Sequence, residues 1–254
     1  MQLLIQFVFM VCFCTIANAY DREALWDKIR FKGLQSDKSY SIGMGTGFFV
    51  NRNYVITNKH VVDNCKNIAI RGAVEPTLVK LVVVDQDLDL ALLYSEAEPK
   101  NIPYLRINYD QITKNDVLFT VGYPLKHGET GDVVIKEAQV IDVNKNPNNS
   151  FTNISFSDVI NHGNSGGPVL DRNSNIAGVV VAKIKYFQDE ARSIPSKSVG
   201  VAIGLDGVMN FLRKNNIFFA ANTTYDIFTN YKIADLIKDY VVNIHCVGDV
   251  ISEK

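Results

Sequence analysis

Between residues 40 and 204, short apolar runs alternate with polar punctuation, and the pattern changes little along the way. GFFV, YVIT, NIAI, LVKLVVV, LALLY, VLFTVGY, DVVIKEAQVIDV, FTNISF, PVL, NIAGVVVAKI and SVGVAI follow one another. They are β-branched and aromatic runs of strand length, set off by Gly, Asn, Asp and Pro. Helical spacing is confined to the margins. Tyr20–Arg30 puts Leu25, Trp26 and Ile29 on one face of a short amphipathic helix, and Leu205–Asn215 does the same with Val208, Phe211 and Leu212. So many strands with so little helix between them predict an all-β fold, a sandwich or barrel. The tail 218–254 predicts a helix over Tyr231–Lys238 and a strand over Tyr240–Val247 packed on the body.

The first residues follow another rule. Met1–Ala19 carries no charged side chain, is apolar from Leu3 to Ile16 apart from Gln6 and Thr15, and ends in Ala17-Asn18-Ala19. A hydrophobic core followed by small residues at −3 and −1 predicts a secretory signal peptide, even without Lys or Arg at its start. The stretch is short for a span of about 20 residues, so cleavage is expected rather than a retained anchor. The mature protein is then secreted or periplasmic, with no stable membrane span, and has 235 residues. Cys12 and Cys14 leave with the signal, while Cys65 and Cys246 remain. In an oxidising compartment these two either form one bridge across about 180 residues or stay as two buried thiols. They are too few for a Cys-ligated metal site.

Composition narrows the partners. With 47% apolar residues the chain is an ordinary globular protein, and 26 basic against 27 acidic residues leave a net charge of −1. Such a balance argues against nucleic acid or an anionic membrane as the main partner. The length fits one large or two small domains, and β-barrels reach about 200–250 residues as one unit.

Three segments carry chemistry. Gly163-Asn164-Ser165-Gly166-Gly167-Pro168 is a tight turn that exposes a serine hydroxyl. Glycine before the serine lets backbone N–H groups point at a carbonyl under attack, and glycines after it keep the approach clear. The serine needs a base, and the chain has four histidines. His127 lies in a polar loop, His162 is too close to Ser165 along a tight turn, and His245 sits in the tail strand. His60, where the strand Tyr54-Val55-Ile56-Thr57 gives way to a turn, is the base by elimination. The third member is a carboxylate that orients the imidazole. Of Asp85, Asp87 and Asp89, only Asp89 directly enters the apolar strand LALL and is expected to be buried. The order His60…Asp89…Ser165 is that of the chymotrypsin class.

Collinear segments then carry a resemblance. GTGFFV…YVITNKHVV, DLDLALL, VGYP, SDVINHGNSGGPV and VGVAI resemble the trypsin-like protease domain of the bacterial HtrA/Deg family, from about Gly43 to Leu212. The resemblance implies two six-stranded antiparallel β-barrels with a C-terminal helix. Residues 20–217 would form the protease domain: first barrel about 40–122, second about 130–204, closing helix 205–215. Residues 218–254 would be a C-terminal extension, too short for a PDZ domain. It further implies catalytic His60, Asp89 and Ser165, an oxyanion hole from the N–H groups of Gly163 and Ser165, and no cofactor. TNKHVVD and MNFLRKNNI are also similar to glutamyl endopeptidases, but Val180 stands where those enzymes place a glutamate-binding histidine. Carried over from HtrA, an S1 pocket would be lined by Ile160, Val201 and Ile203, favouring small or medium apolar P1 residues. The implied activity is that of a serine endopeptidase acting on proteins or peptides. The alternative is a chaperone-like binding module with little turnover.

Overall fold

The computed structural model describes residues 22–107, 111–126, 129–130, 132–145, 151–157, 160–186, 197–222 and 227–250. The expected signal peptide and His127 lie outside them. The runs of the first half become β1 (Tyr40–Phe49), β2 (Tyr54–Asn58), β3 (Asn67–Gly72), β4 (Thr77–Asp85), β5 (Leu90–Tyr94) and the short β6 (Leu105–Arg106). Then come β7 (Val117–Gly122), β8 (Leu125–Lys126), β9 (Glu129–Thr130), β10 (Val134–Lys145), β11 (Thr152–Ser157), β12 (Pro168–Leu170), β13 (Ile176–Tyr186) and β14 (Lys197–Gly204). A helix α1 at 22–30 leads, and α2 (Leu205–Lys214), β15 (Ala221–Asn222), α3 (Asn230–Leu236) and β16 (Val241–Asp249) close the chain.

These strands form two closed six-stranded antiparallel barrels. The second runs β12-β7-β10-β11-β14-β13 and closes through β12–β13, with β6 and β15 added in parallel beside β13. Its interior packs Leu118, Ala138, Val140, Ile154, Phe156, Val169, Val180 and Ala202. The first runs β1-β16-β3-β4-β5-β2. Two of the expected boundaries differ here. Val117–Gly122 is a strand of the second barrel, not the end of the first. The segment read as an extension supplies the sixth strand of the first barrel, β16, inserted between β1 and β3.

The physical reason is the edge that five strands leave open. Without β16, the facing sides of β1 and β3 would carry rows of unpaired N–H and C=O groups. β16 covers both, pairing Tyr40–Phe48 with Asp249–Val241 on one side and Asn67–Gly72 with Val247–Val242 on the other. Eight of its nine residues are buried, including Asn243 and His245. Its loop side is tied covalently, because Cys65, five residues after His60, is bridged to Cys246 with Cα atoms 5.2 Å apart.

Helix α1 caps this strand. Of the three apolar residues expected on its inner face, Trp26 is 1% exposed, Ile29 is half-buried and Leu25 points to solvent. Trp26 lies edge-on to His245, with ring centroids 4.8 Å apart, and Arg30 Nη1 is 2.9 Å from His245 Nδ1. Arg71 stacks over the same tryptophan at 4.9 Å and pairs with Glu23 of the helix. Burial, with Arg30 and Arg71 adding to it, pushes His245 down to about pH 3. Helix α2 follows its expected span, burying Val208, Phe211 and Leu212, while Asp206 accepts the Thr152 N–H and hydroxyl.

Two expectations follow. Cys246→Ser removes a cross-link that, on the chain-entropy account, stabilises by about 5 kcal/mol. Its melting temperature should fall by more than 10 °C in thermal denaturation, and an unchanged value would contradict the bridge. For His245, both states are neutral above about pH 6.5. Between about 6.5 and 3 the unfolded chain takes up a proton that the folded one refuses, so stability drops as pH falls through that window. Urea unfolding should show a steeper loss for wild type than for His245→Gln, and equal slopes would refute the assignment.

Candidate active site

His60 sits on the single 3-10 turn Lys59–Val61 at the end of β2. The turn is pinned to Asp89, which precedes β5. The Lys59 N–H and the Asn58 side-chain amide both donate to the Asp89 carbonyl, each at 3.0 Å. Asp89 has φ +52°, a left-handed conformation that Asp tolerates better than most residues. Its neighbours Leu88 and Leu90 are buried in the core, while its own carboxylate turns back to the histidine. One oxygen accepts the His60 backbone N–H at 3.0 Å, and the other lies 2.5 Å from Nδ1. The carboxylate is 29% exposed, so it is half-buried rather than fully enclosed as the sequence suggested. With one carboxylate oxygen on Nδ1 and the other on the backbone N–H, Asp89 favours the tautomer protonated at Nδ1, which leaves Nε2 as the basic nitrogen. Asp85 instead accepts the N–H groups of Asp87 and Leu88 within its own turn.

The serine turn comes from the second barrel and rests on the end of β2. A Cβ on Gly166 would lie 2.2 Å from the Thr46 carbonyl and from the Thr57 hydroxyl, and 3.0 Å from the Asn58 nitrogen. A Cβ on Gly45 would meet the methyls of Val61 and, at 3.2 Å, the Ser165 carbonyl. Ser165 is therefore packed within one glycine's width of the residue that follows His60. Its hydroxyl donates to the Val181 carbonyl at 3.2 Å rather than to the imidazole.

Gly163 has φ +93°, and a Cβ there would be 2.2 Å from the Tyr123 carbonyl, so only glycine fits. The N–H groups of Asn164, Gly166 and Gly167 donate to Asn161, Val180 and Asn164. Among the described residues, those of Gly163 and Ser165 donate to no carbonyl, which leaves both for an incoming oxygen.

The expected pocket residues are not brought together. Ile160 lies inside the second barrel, whereas Ile203 belongs to the other apolar cluster, against Gly207 of α2 and Leu88. Val201, half-buried, alternates onto the face of Ile203. The residues that share the face of Ile160 are Val180, Gly200 and Ala202, one position away from those expected. A one-residue offset on a strand changes the face completely. Phe156 and Ile160 close over Gly200, where a Cβ would lie 2.4 and 2.7 Å from them.

Residues 45–179, more than half of the chain, match the trypsin-like peptidase domain. The chain belongs to the trypsin-like peptidase family. Among curated relatives of this trypsin-like chain, the probable periplasmic serine endoprotease DegP-like of Pseudomonas putida is 30% identical over 142 residues, 54% of this chain and 28% of that protein. The probable periplasmic serine protease do/HhoA-like of Haemophilus influenzae is 28% identical over 159 residues, 61% and 34% respectively. The match thus spans about a third or less of these relatives' length. Among solved structures, the Rv3671c protease from M. tuberculosis in its active form has a TM-score of 0.57 at 21% identity, covering 70% of this chain and 76% of that one. An HtrA-type protease, AlgW with decapeptide, has a TM-score of 0.53 at 24% identity, covering 67% and 50%. These likenesses establish the shared two-barrel fold.

Gly163→Ala should lower kcat/KM of any hydrolysis by about 100-fold, as loss of one oxyanion donor does. Peptide hydrolysis by the purified variant checks it, and a change below threefold would show that the turn does not serve the reaction.

Proposed function

We propose that the protein is a secreted or periplasmic serine endopeptidase in which Ser165 is the nucleophile, His60 the base and Asp89 its orienting carboxylate. The observation that carries this reading is the doubly anchored Asp89–His60 pair, with the serine turn packed on the end of the strand that leads to His60 and, among the described residues, two of its N–H groups unengaged. Reaction begins when Ser165 rotates from Val181 and gives its proton to His60 Nε2 as Oγ attacks the peptide carbonyl. The Gly163 and Ser165 amides take the developing oxyanion, and His60 then protonates the leaving amine. Water, activated by the same histidine, releases the acyl group and restores the enzyme. No step calls for a metal or organic cofactor.

The P1 side chain would meet the uncharged segment of β14 around Gly200 and the half-buried Val201, next to Ile160. A Lys, Arg or Glu side chain would lose its hydration there without gaining a partner. Small apolar residues, Ala and Val foremost, are the proposed P1 class. The Ser165–Val181 bond favours one second reading, a cleft that holds unfolded chains with little turnover.

A fluorophosphonate probe and a casein digest separate these readings. Wild type should be labelled and should cleave casein, Ser165→Ala should do neither, and its kcat should fall on the order of a millionfold. A peptide library should be cut after small apolar residues. No labelling of wild type would favour the binding module, and cleavage mainly after Arg or Glu would refute the pocket.

A further inference from the structure

Thr46 of β1 lies outside the proposed triad, yet it bonds the serine turn through two of its atoms, its hydroxyl oxygen and its backbone nitrogen. Every trans peptide unit points its C=O and N–H in opposite directions, so a carbonyl's partner decides where the N–H aims. The unit that ends in the Gly163 N–H is fixed because the His162 carbonyl accepts from Leu125 N at 2.8 Å. The unit that ends in the Ser165 N–H is fixed because the Asn164 carbonyl accepts from Gly167 N at 3.0 Å. The two units between and after them are held by Thr46. Its Oγ1 donates to the Gly163 carbonyl at 2.6 Å, and its N–H donates to the Ser165 carbonyl at 2.9 Å.

The hydroxyl has no freedom to point elsewhere. It accepts the Tyr123 N–H at 2.9 Å, so its own hydrogen is directed at Gly163. The Thr46 carbonyl is taken by the Thr57 hydroxyl at 2.7 Å, and the residue is wholly buried, so no water can replace any partner. Gly163 needs such a tether more than other residues do, because without a Cβ it resists rotation of its peptide planes least.

We propose that Thr46 is a positioning residue for hydrolysis: it sets the plane between the two oxyanion donors and so keeps both aimed at one point. The proposal rests on the serine endopeptidase reading above. Thr46→Val keeps the shape and removes the hydroxyl, leaving the Gly163 carbonyl and the Tyr123 N–H unpaired. Thr46→Ser keeps the hydroxyl. Thr120→Val removes an equally buried hydroxyl of β7 that bonds only to the Lys136 carbonyl, and serves as a matched control.

The test measures kcat and KM for an apolar-P1 peptide, with Ki for the corresponding peptide aldehyde, whose hemiacetal oxygen occupies the oxyanion position. Thr46→Val should lose at least tenfold in kcat and the same factor in aldehyde affinity, with KM within threefold of wild type. Thr46→Ser should stay within threefold in all three, and Thr120→Val should lower the melting temperature without moving kcat. A folded Thr46→Val with wild-type kcat overturns the proposal while the protease reading stands. If Thr46→Val does not fold, a tenfold loss of kcat in Thr46→Ser overturns it, and full activity there supports the hydroxyl as the working group. A wild type that the fluorophosphonate does not label overturns the protease reading and this one together.

Discussion

The antiparallel ladder between β1 and β16 is the contact on which the rest of this structure depends. A β-strand offers each residue's N–H and C=O to one side, and successive residues alternate sides. β1 gives one side to β16 along nine paired residues, from Tyr40 with Asp249 to Phe48 with Val241. At Thr46 the other side meets the serine turn and β2: its N–H donates to the Ser165 carbonyl, and its carbonyl accepts the Thr57 hydroxyl. Strand β16 thus fixes a strand of the first barrel, and that strand holds the serine turn of the second.

The same strand gathers the remaining supports. Cys246 ties it to the segment after His60, and His245 locks under Trp26 and Arg30 of the leading helix. The two halves of the candidate site are therefore held by different means. His60 and Asp89 are joined locally, through two carboxylate bonds and two bonds to the Asp89 carbonyl. Ser165 is held at long range, by the backbone N–H and hydroxyl of Thr46 on β1, more than a hundred residues away in sequence. Exposed ion pairs at the surface, such as Arg52 with Glu98, add little to either.

What could be read from the chain alone follows this division. The strand runs, α2, and the grouping of His60, Asp89 and Ser165 rest on local patterns: periodicity, turn glycines, and an acid entering an apolar strand. The structure joins His60 to Asp89 and sets the Ser165 carbonyl beside Gly45 and Val61, while the serine hydroxyl is engaged with Val181. The role of β16 was hidden because Asn243 and His245 alternate with Ile244 and Cys246, the signature of a half-exposed edge strand. Burial of that polar side by Trp26 and Arg30 is a tertiary event that periodicity does not register. The pocket was misplaced because alternation along a strand cannot be assigned to a face before its register is known. Val201 and Ile203 fall on the face of β14 opposite Ile160, and Gly200 and Ala202 face the barrel interior beside Ile160. Thr46 gave no signal beyond a threonine between two glycines, although those glycines leave the room in which Val61 and Ile244 pack.

Strand β16 completes the barrel that holds the serine turn. Fluorophosphonate labelling of a chain ending at Asp239, compared with the full chain under the same conditions, tests it most directly. Labelling of Ser165 should be lost in the shortened chain and should return when a peptide covering residues 240–250 is supplied during folding. Labelling of the shortened chain at the full-length rate, with no peptide added, would contradict it.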